Sequence, residues 1–174
     1  LESADHVIAI SPFLAKMGQL RYGDKFSVLP LGIDPLVFYP APTPAENAKP
    51  IVVTAGTVCE GKRPEVFFAL AKRFPNALLR WLSGGELLAQ MVQEVKAQNL
   101  ENLEFVGPCQ PRALAEEFRK ADIFVLAAIA EGVPKVTQEA AACGLPVILF
   151  GFYEAPAVVD GENGYVVWND QELG

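Results

Sequence analysis

Short runs of continuously apolar residues recur along this chain. Between them lie longer segments in which apolar residues return every third or fourth position. The short runs predict strands at 7–10, 26–29, 51–55, 78–82, 103–106, 122–126, 147–150 and 165–167. Most are apolar throughout rather than alternating, as a parallel sheet covered on both faces requires. The longer segments predict helices at 64–74, 86–98, 111–120 and 134–143. The last three carry Leu87, Met91 and Val95, then Leu114 and Phe118, then Val136 and Ala140, at amphipathic spacing. Pro64, Pro111 and Pro134 stand at or near first helical positions, where a missing N–H is harmless. This alternation predicts a doubly wound α/β fold, a parallel sheet with helices on both faces.

One stretch breaks the pattern. Residues 40–50 (PAPTPAENAKP) hold four prolines among small polar residues, the composition of a linker. The expected division is a strand-helix-strand segment over 1–40 that belongs partly to a preceding domain, a linker over 41–48, and a main unit over 49–174.

Composition narrows the chemistry. A chain of 174 residues, 51% apolar and 20% charged, fits one domain or one domain plus a fragment. It buries roughly 70% of its unfolded surface and needs no disulfide or metal staple. The net charge of −7 argues against nucleic acid, whose phosphates are met by clustered Lys and Arg. The best apolar run, 123–130, falls far short of the ~20 residues of a membrane span. Cys59, Cys109 and Cys143 have no CxxC spacing, which suggests small apolar roles rather than disulfides or a zinc site. His6 is the only histidine and falls in what reads as a buried strand, so His-based triads and His-rich metal sites are set aside. Such cysteine usage suits a reducing cytoplasm. The chain opens without Met or signal peptide on residues that already read as structured, as a piece of something longer would.

Two segments could carry chemistry. The first follows the strand at 51–55: Gly56-Thr57-Val58-Cys59-Glu60-Gly61-Lys62-Arg63. Its G-x-x-x-x-G-K spacing is one residue short of a P-loop, because Arg63 stands where a magnesium-holding Ser or Thr is needed. What remains is a glycine-bearing turn with two cations where a pyrophosphate could sit. An ordinary βα turn with a solvated Lys-Arg pair is the alternative. G-x-G-x-x-G is missing, so dinucleotide binding gains no support.

The second segment is Glu131-Gly132-Val133-Pro134-Lys135-Val136-Thr137-Gln138-Glu139, after the strand at 122–126. A helix opening here presents free N–H groups to an anion. Carboxylates beside it are poor phosphate ligands but good acceptors for sugar hydroxyls. Glu131 as a loop charge and Glu139 as an exposed helix residue are the plainer alternatives. In the common strand order 3-2-1-4-5-6 the strands at 51–55 and 122–126 are neighbours at the switch point. The cationic turn and the acidic loop then face one crevice, as a sugar-nucleotide site would demand.

These residues are recognisable together. Glu131 and Glu139 form the E-x₇-E pattern of the group 1 retaining glycosyltransferases, and the flanking Ala121-Asp122-Ile123-Phe124-Val125-Leu126 and Ala142-Cys143-Gly144-Leu145-Pro146-Val147 resemble that family. So do Ile10-Ser11-Pro12-Phe13, Pro30 to Asp34 with Phe38, Phe105-Val106-Gly107, and Asp160-Gly161-Glu162-Asn163-Gly164. The resemblance implies the C-terminal, donor-binding half of a two-Rossmann-domain (GT-B) enzyme. It places the ribose-binding carboxylate at Glu139 and the carboxylate near the donor sugar at Glu131. The backbone groups that meet sugar and phosphate fall on Gly132, Val133, Pro134 and Lys135. The pyrophosphate lysine falls on Lys62, which with Glu131 forms the expected catalytic pair, and Gly56, Thr57 and Arg63 complete the donor-binding set.

Two positions depart from the family. The arginine expected after the first glycine is Thr57, and the aromatic-Gly pair after the first Glu is Val133-Pro134, which removes one N–H donor. A substitute cation is expected, with Lys135 favoured over Arg63. The implied activity is hexosyltransferase-like: transfer of a sugar from a nucleoside-diphosphate sugar to a glycan or lipid-linked acceptor, as in polysaccharide biosynthesis. The implied partners are that donor and an N-terminal domain holding the acceptor site, with no metal and no cofactor. The fragment by itself is then inactive. The full-length enzyme is expected in the cytoplasm, where it can lie peripherally on a membrane. The alternatives are a sugar-nucleotide 2-epimerase of the same fold and a non-catalytic nucleotide-binding domain.

Overall fold

The computed structural model describes residues 1–43 and 45–173; Pro44, inside the expected linker, and Gly174 lie outside the described residues. The chain opens with β1 (Val7–Ala9), α1 (Pro12–Tyr22) and β2 (Phe26–Val28). The two strands pair in parallel, Val7 opposite Phe26. Ser11 caps α1, its Oγ accepting from the Leu14 N–H at 3.2 Å, and Pro12 fills the first turn. His6 departs from expectation. It stands exposed just ahead of β1, with Nε2 2.9 Å from Ser27 Oγ, because β1 belongs to a two-stranded sheet that faces solvent along much of its length, Ile8 being 59% exposed, and His6 has no core to face.

Six further strands form one parallel sheet: β3 (Ile51–Ala55), β4 (Leu78–Leu82), β5 (Leu103–Phe105), β6 (Ile123–Leu126), β7 (Val147–Phe150) and β8 (Gly164–Val167). Their spatial order is β5-β4-β3-β6-β7-β8. The chain therefore winds from β3 to one edge, returns to the middle, and winds to the other. β3 and β6 lie side by side, Val52 opposite Ile123, and the winding reverses between them. Helices α2 (Pro64–Arg73), α3 (Leu88–Ala97), α4 (Pro111–Lys120) and α5 (Lys135–Ala142) follow β3 to β6 in turn, and the short α6 (Asp170–Leu173) follows β8. Among the described residues no helix is long and apolar enough to cross a membrane.

Strand alternation sorts the core into two layers. Val53, Phe124, Leu126 and Val147 pack with Ala115 and Phe118 of α4 and Ala140 of α5. Leu79, Trp81, Val125 and Phe150 pack with Phe67, Leu70 and Ala71 of α2. Successive residues of one strand enter different layers, which is why the strands read as apolar throughout. Ahead of the linker, Phe38 is buried in the α4–α5 layer. Asn47, within the segment expected to be a linker, is tied to the sheet's amino edge. Asp122 accepts from the Ile51 N–H at 2.7 Å and from Asn47 Nδ2 at 3.0 Å.

Three local features differ from the pattern. A 3₁₀ turn at Glu60–Lys62 precedes α2. Helix α5 starts at Lys135, with Pro134 as its N-cap rather than its first residue. The carbonyl of Pro134 takes both the Thr137 N–H at 3.1 Å and the buried Thr137 hydroxyl at 2.7 Å, which fixes the cap one residue later than Pro64 or Pro111 would suggest. The stub α6 carries too few apolar positions to register as periodic.

Candidate functional site

The turn after β3 is clamped from both sides. Gly56 has φ +134°, a conformation that side-chain-bearing residues rarely adopt, and its carbonyl accepts the Trp81 indole N–H at 2.8 Å. The loop after β4 presses on the same turn. The Val58 N–H donates to Gly84 at 2.9 Å, and the Leu87 N–H donates to Val58 at 3.1 Å. A Cβ on Gly85 would lie 2.4 Å from the Val58 nitrogen, so only glycine allows this approach. From the β6 side, the Ile129 N–H donates to the Gly61 carbonyl at 3.3 Å. The 3₁₀ turn then returns the Lys62 stem over Gly56, where a Cβ would sit 3.5 Å from Lys62 Cε.

Lys62 Nζ meets the Glu131 carboxylate across the switch point between β3 and β6, with 20% and 17% of the two side chains exposed. The two residues expected to approach each other meet as an ion pair. Desolvation pushes the Lys62 ammonium below its ordinary value. Glu131 Oε1 is buried with no well-formed hydrogen bond. The carboxylate faces the Lys62 ammonium and has acceptor capacity left for a further donor.

Arg63 takes another direction. It adopts a left-handed conformation (φ 56°). Its guanidinium forms a two-pronged pair with Asp170 at 2.9 and 2.7 Å, reaches Glu65 at 3.1 Å, and lies 5.4 Å from the Phe150 ring centre. The bidentate bond raises the Arg63 pKa and holds the Asp170 carboxyl below its ordinary value. Arg63 therefore joins α2 to α6 instead of the Lys62–Glu131 pair. Asp170 gains its stability above the unfolded carboxyl value of 3.8 and loses it as pH falls through the depressed folded value. Asp170→Asn is expected to cost at most about 1 kcal/mol, because the carboxylate is mostly solvated. Urea midpoints of the two proteins should differ at neutral pH and converge in acid.

The acidic loop leads into α5. Gly132 is exposed, Val133 and Pro134 are buried, and Lys135 is exposed with its ammonium 3.3 Å from Glu139 Oε1. Glu139 is 9% exposed, beside the fully buried Ala140. Among the described residues, the amides of Gly132, Val133, Lys135 and Val136 donate to no backbone acceptor. Thr57 is exposed in the facing turn. Near the same edge stands the start of α1, whose Phe13 N–H donates to Glu154 at 3.3 Å. The arrangement combines a desolvated cation and idle amides, suited to an anion, with two carboxylates suited to hydroxyl groups. Among the described residues, no cluster of three His, Cys, Asp or Glu is placed to hold a metal ion.

Sequence reasoning overlooked the part the loop after β4 plays in holding this turn. The Gly84-Gly85 pair after a predicted strand was a usable signal, since adjacent glycines mark close backbone approach. Trp81 offered none, because a strand tryptophan reads only as core.

The family model for group 1 glycosyl transferases matches residues 49–173. The D-inositol 3-phosphate glycosyltransferase of Nocardia farcinica is 27% identical over 96% of this chain and 42% of its own length. The sucrose-phosphate synthase structure from Thermosynechococcus elongatus superposes with a TM-score of 0.85 at 26% identity, over 99% of this chain and 48% of that one. Anabaena HepE in complex with UDP and glucose shares the fold, with a TM-score of 0.81 at 20% identity over 98% of this chain and 51% of its own. The chain thus spans about half the length of these proteins or less.

Proposed function

Because this chain belongs to the group 1 glycosyltransferases, we propose that its cleft holds a nucleoside-diphosphate sugar for retaining transfer to a glycan or lipid-linked acceptor. The observation that carries this reading is the Lys62–Glu131 pair set beside the idle amides at the start of α5. Lys62 and those amides meet the diphosphate, Glu139 meets the ribose hydroxyls, and Glu131 lies toward the sugar. Lys135 supplies the cation lost at Thr57: it is half-exposed, stands in the first turn of α5, and is paired with Glu139.

In the reaction, the bond from the anomeric carbon to the diphosphate breaks and its electron pair leaves with the phosphate oxygen. The acceptor hydroxyl forms the new bond and gives up its proton. Charge builds on the leaving diphosphate, where fixed cations and amide dipoles act without reorganising. That set offsets the charge with no metal required. The acceptor site belongs to an N-terminal half of the kind the longer relatives have room for. The reported relatives are transferases and synthases, and the 2-epimerase alternative draws no support from them.

The division of labour has a direct test. Given a sugar nucleotide and acceptor glycans, the chain alone is expected to bind donor and form no glycosidic product by mass spectrometry. Joined to its N-terminal half, it is expected to give product with the donor's anomeric configuration by NMR. Product from the chain alone contradicts the division, and an inverted product contradicts retention.

A further inference from the structure

Trp81 lies on the α2 face of β4 and is 1% exposed. Phe67 meets it edge-on at 5.2 Å and Phe105 stacks on it at 5.7 Å, so the indole cannot turn. Its one polar group, the N–H, is spent on the Gly56 carbonyl at 2.8 Å. Gly56 is also the surface on which the Lys62 stem rests, with Cε, Nζ and Cδ all within 4 Å of the place a Cβ would occupy. A trans peptide plane carries its N–H opposite its C=O. Holding the Gly56 carbonyl on Trp81 therefore turns the Thr57 N–H away from Trp81. That amide donates to no backbone acceptor among the described residues.

We propose that Trp81 is a positioning residue for the diphosphate: by fixing the Gly56 peptide plane it aims the Thr57 amide into the cleft and seats Lys62. This rests on the reading of the cleft as a donor site and adds a residue that never touches the donor. It also accounts for Thr57. With no guanidinium at that position, the backbone donor carries more of the binding, and its direction must be held by something rigid. A phenylalanine would fill the aromatic slot and leave the carbonyl free to rotate.

The test is calorimetric titration of the wild-type chain and Trp81→Phe with UDP, GDP and ADP and with the matching monophosphates. Positioning predicts that Trp81→Phe weakens the diphosphate the wild type prefers by about tenfold and changes its monophosphate by less than about twofold. Unchanged diphosphate affinity, or an equal loss for both ligands, overturns the proposal. If Trp81→Phe does not fold, the indole ¹⁵N resonances of the wild type decide. Saturating diphosphate should shift that of Trp81 and leave that of the exposed Trp168 in place, and a stationary Trp81 resonance overturns the proposal. A wild type that binds none of the three diphosphates fails the donor-site reading itself, and this inference falls with it.

Discussion

Lys62→Met is expected to remove tight diphosphate binding and to destabilise the fold at the same time. Lys62 and Glu131 are about four-fifths buried, so deleting the cation leaves a carboxylate short of both water and partner. Breaking a buried pair from one side typically costs ~3–5 kcal/mol, and the remaining solvent contact puts this pair at about 3. The binding loss has two sources that add. The diphosphate forfeits a charge-assisted hydrogen bond, and it must then approach an unneutralised Glu131. Together these should weaken affinity by about a hundredfold or more. The double variant Lys62→Met, Glu131→Gln separates the effects. It should recover most of the stability in a urea melt, because no charge is left buried alone, and none of the Lys62-dependent affinity. Diphosphate binding by Lys62→Met as tight as in the wild type would show that Lys62 serves only the fold.

The second large effect is at Glu139. In the donor-site reading, its carboxylate accepts hydrogen bonds from two ribose hydroxyls, each worth roughly 1.5–3 kcal/mol to a charged acceptor. Glu139→Ala should therefore weaken nucleotide binding by at least about tenfold. Stability should change by less than about 1 kcal/mol, since alanine favours the helix and the abandoned Lys135 can rehydrate. Sugar chemistry supplies an internal control. The wild type should prefer the ribonucleotide to its 2′-deoxy analogue, and Glu139→Ala should bind both alike. Undiminished affinity with a loss of stability would instead assign Glu139 to packing against the sheet.

Much of this architecture is legible in the residues because parallel sheets are written locally. Five-residue apolar runs such as Ile51–Ala55 and Leu78–Leu82, each followed by an amphipathic segment, determine strand, helix and alternation with no knowledge of contacts. Strand order follows from the usual winding of such sheets, and it sets Lys62 and Glu131 across one switch point before any distance is measured. What stayed hidden depends on partners far away in the chain. Arg63 and Asp170 are 107 residues apart, and nothing in either segment announces the other. The Trp81 hydrogen bond is likewise a tertiary event in a strand that reads as pure core. His6 failed for a different reason: an apolar run reads as a buried strand, but β1 belongs to a two-stranded sheet in which Ala9 is the one buried residue of the two strands. Pro134 shows a boundary shift of one residue at a helix start, where the Thr137 hydroxyl decided the cap.

Calorimetric titration of this chain with UDP-, GDP- and ADP-sugars tests the central claim most directly, because it asks for donor recognition without requiring an acceptor or transfer. The account predicts saturable one-to-one binding of at least one of the three, without added metal, and lost in Lys62→Met. Failure of all three to bind the folded wild-type chain, or binding that persists undiminished in Lys62→Met, would contradict it.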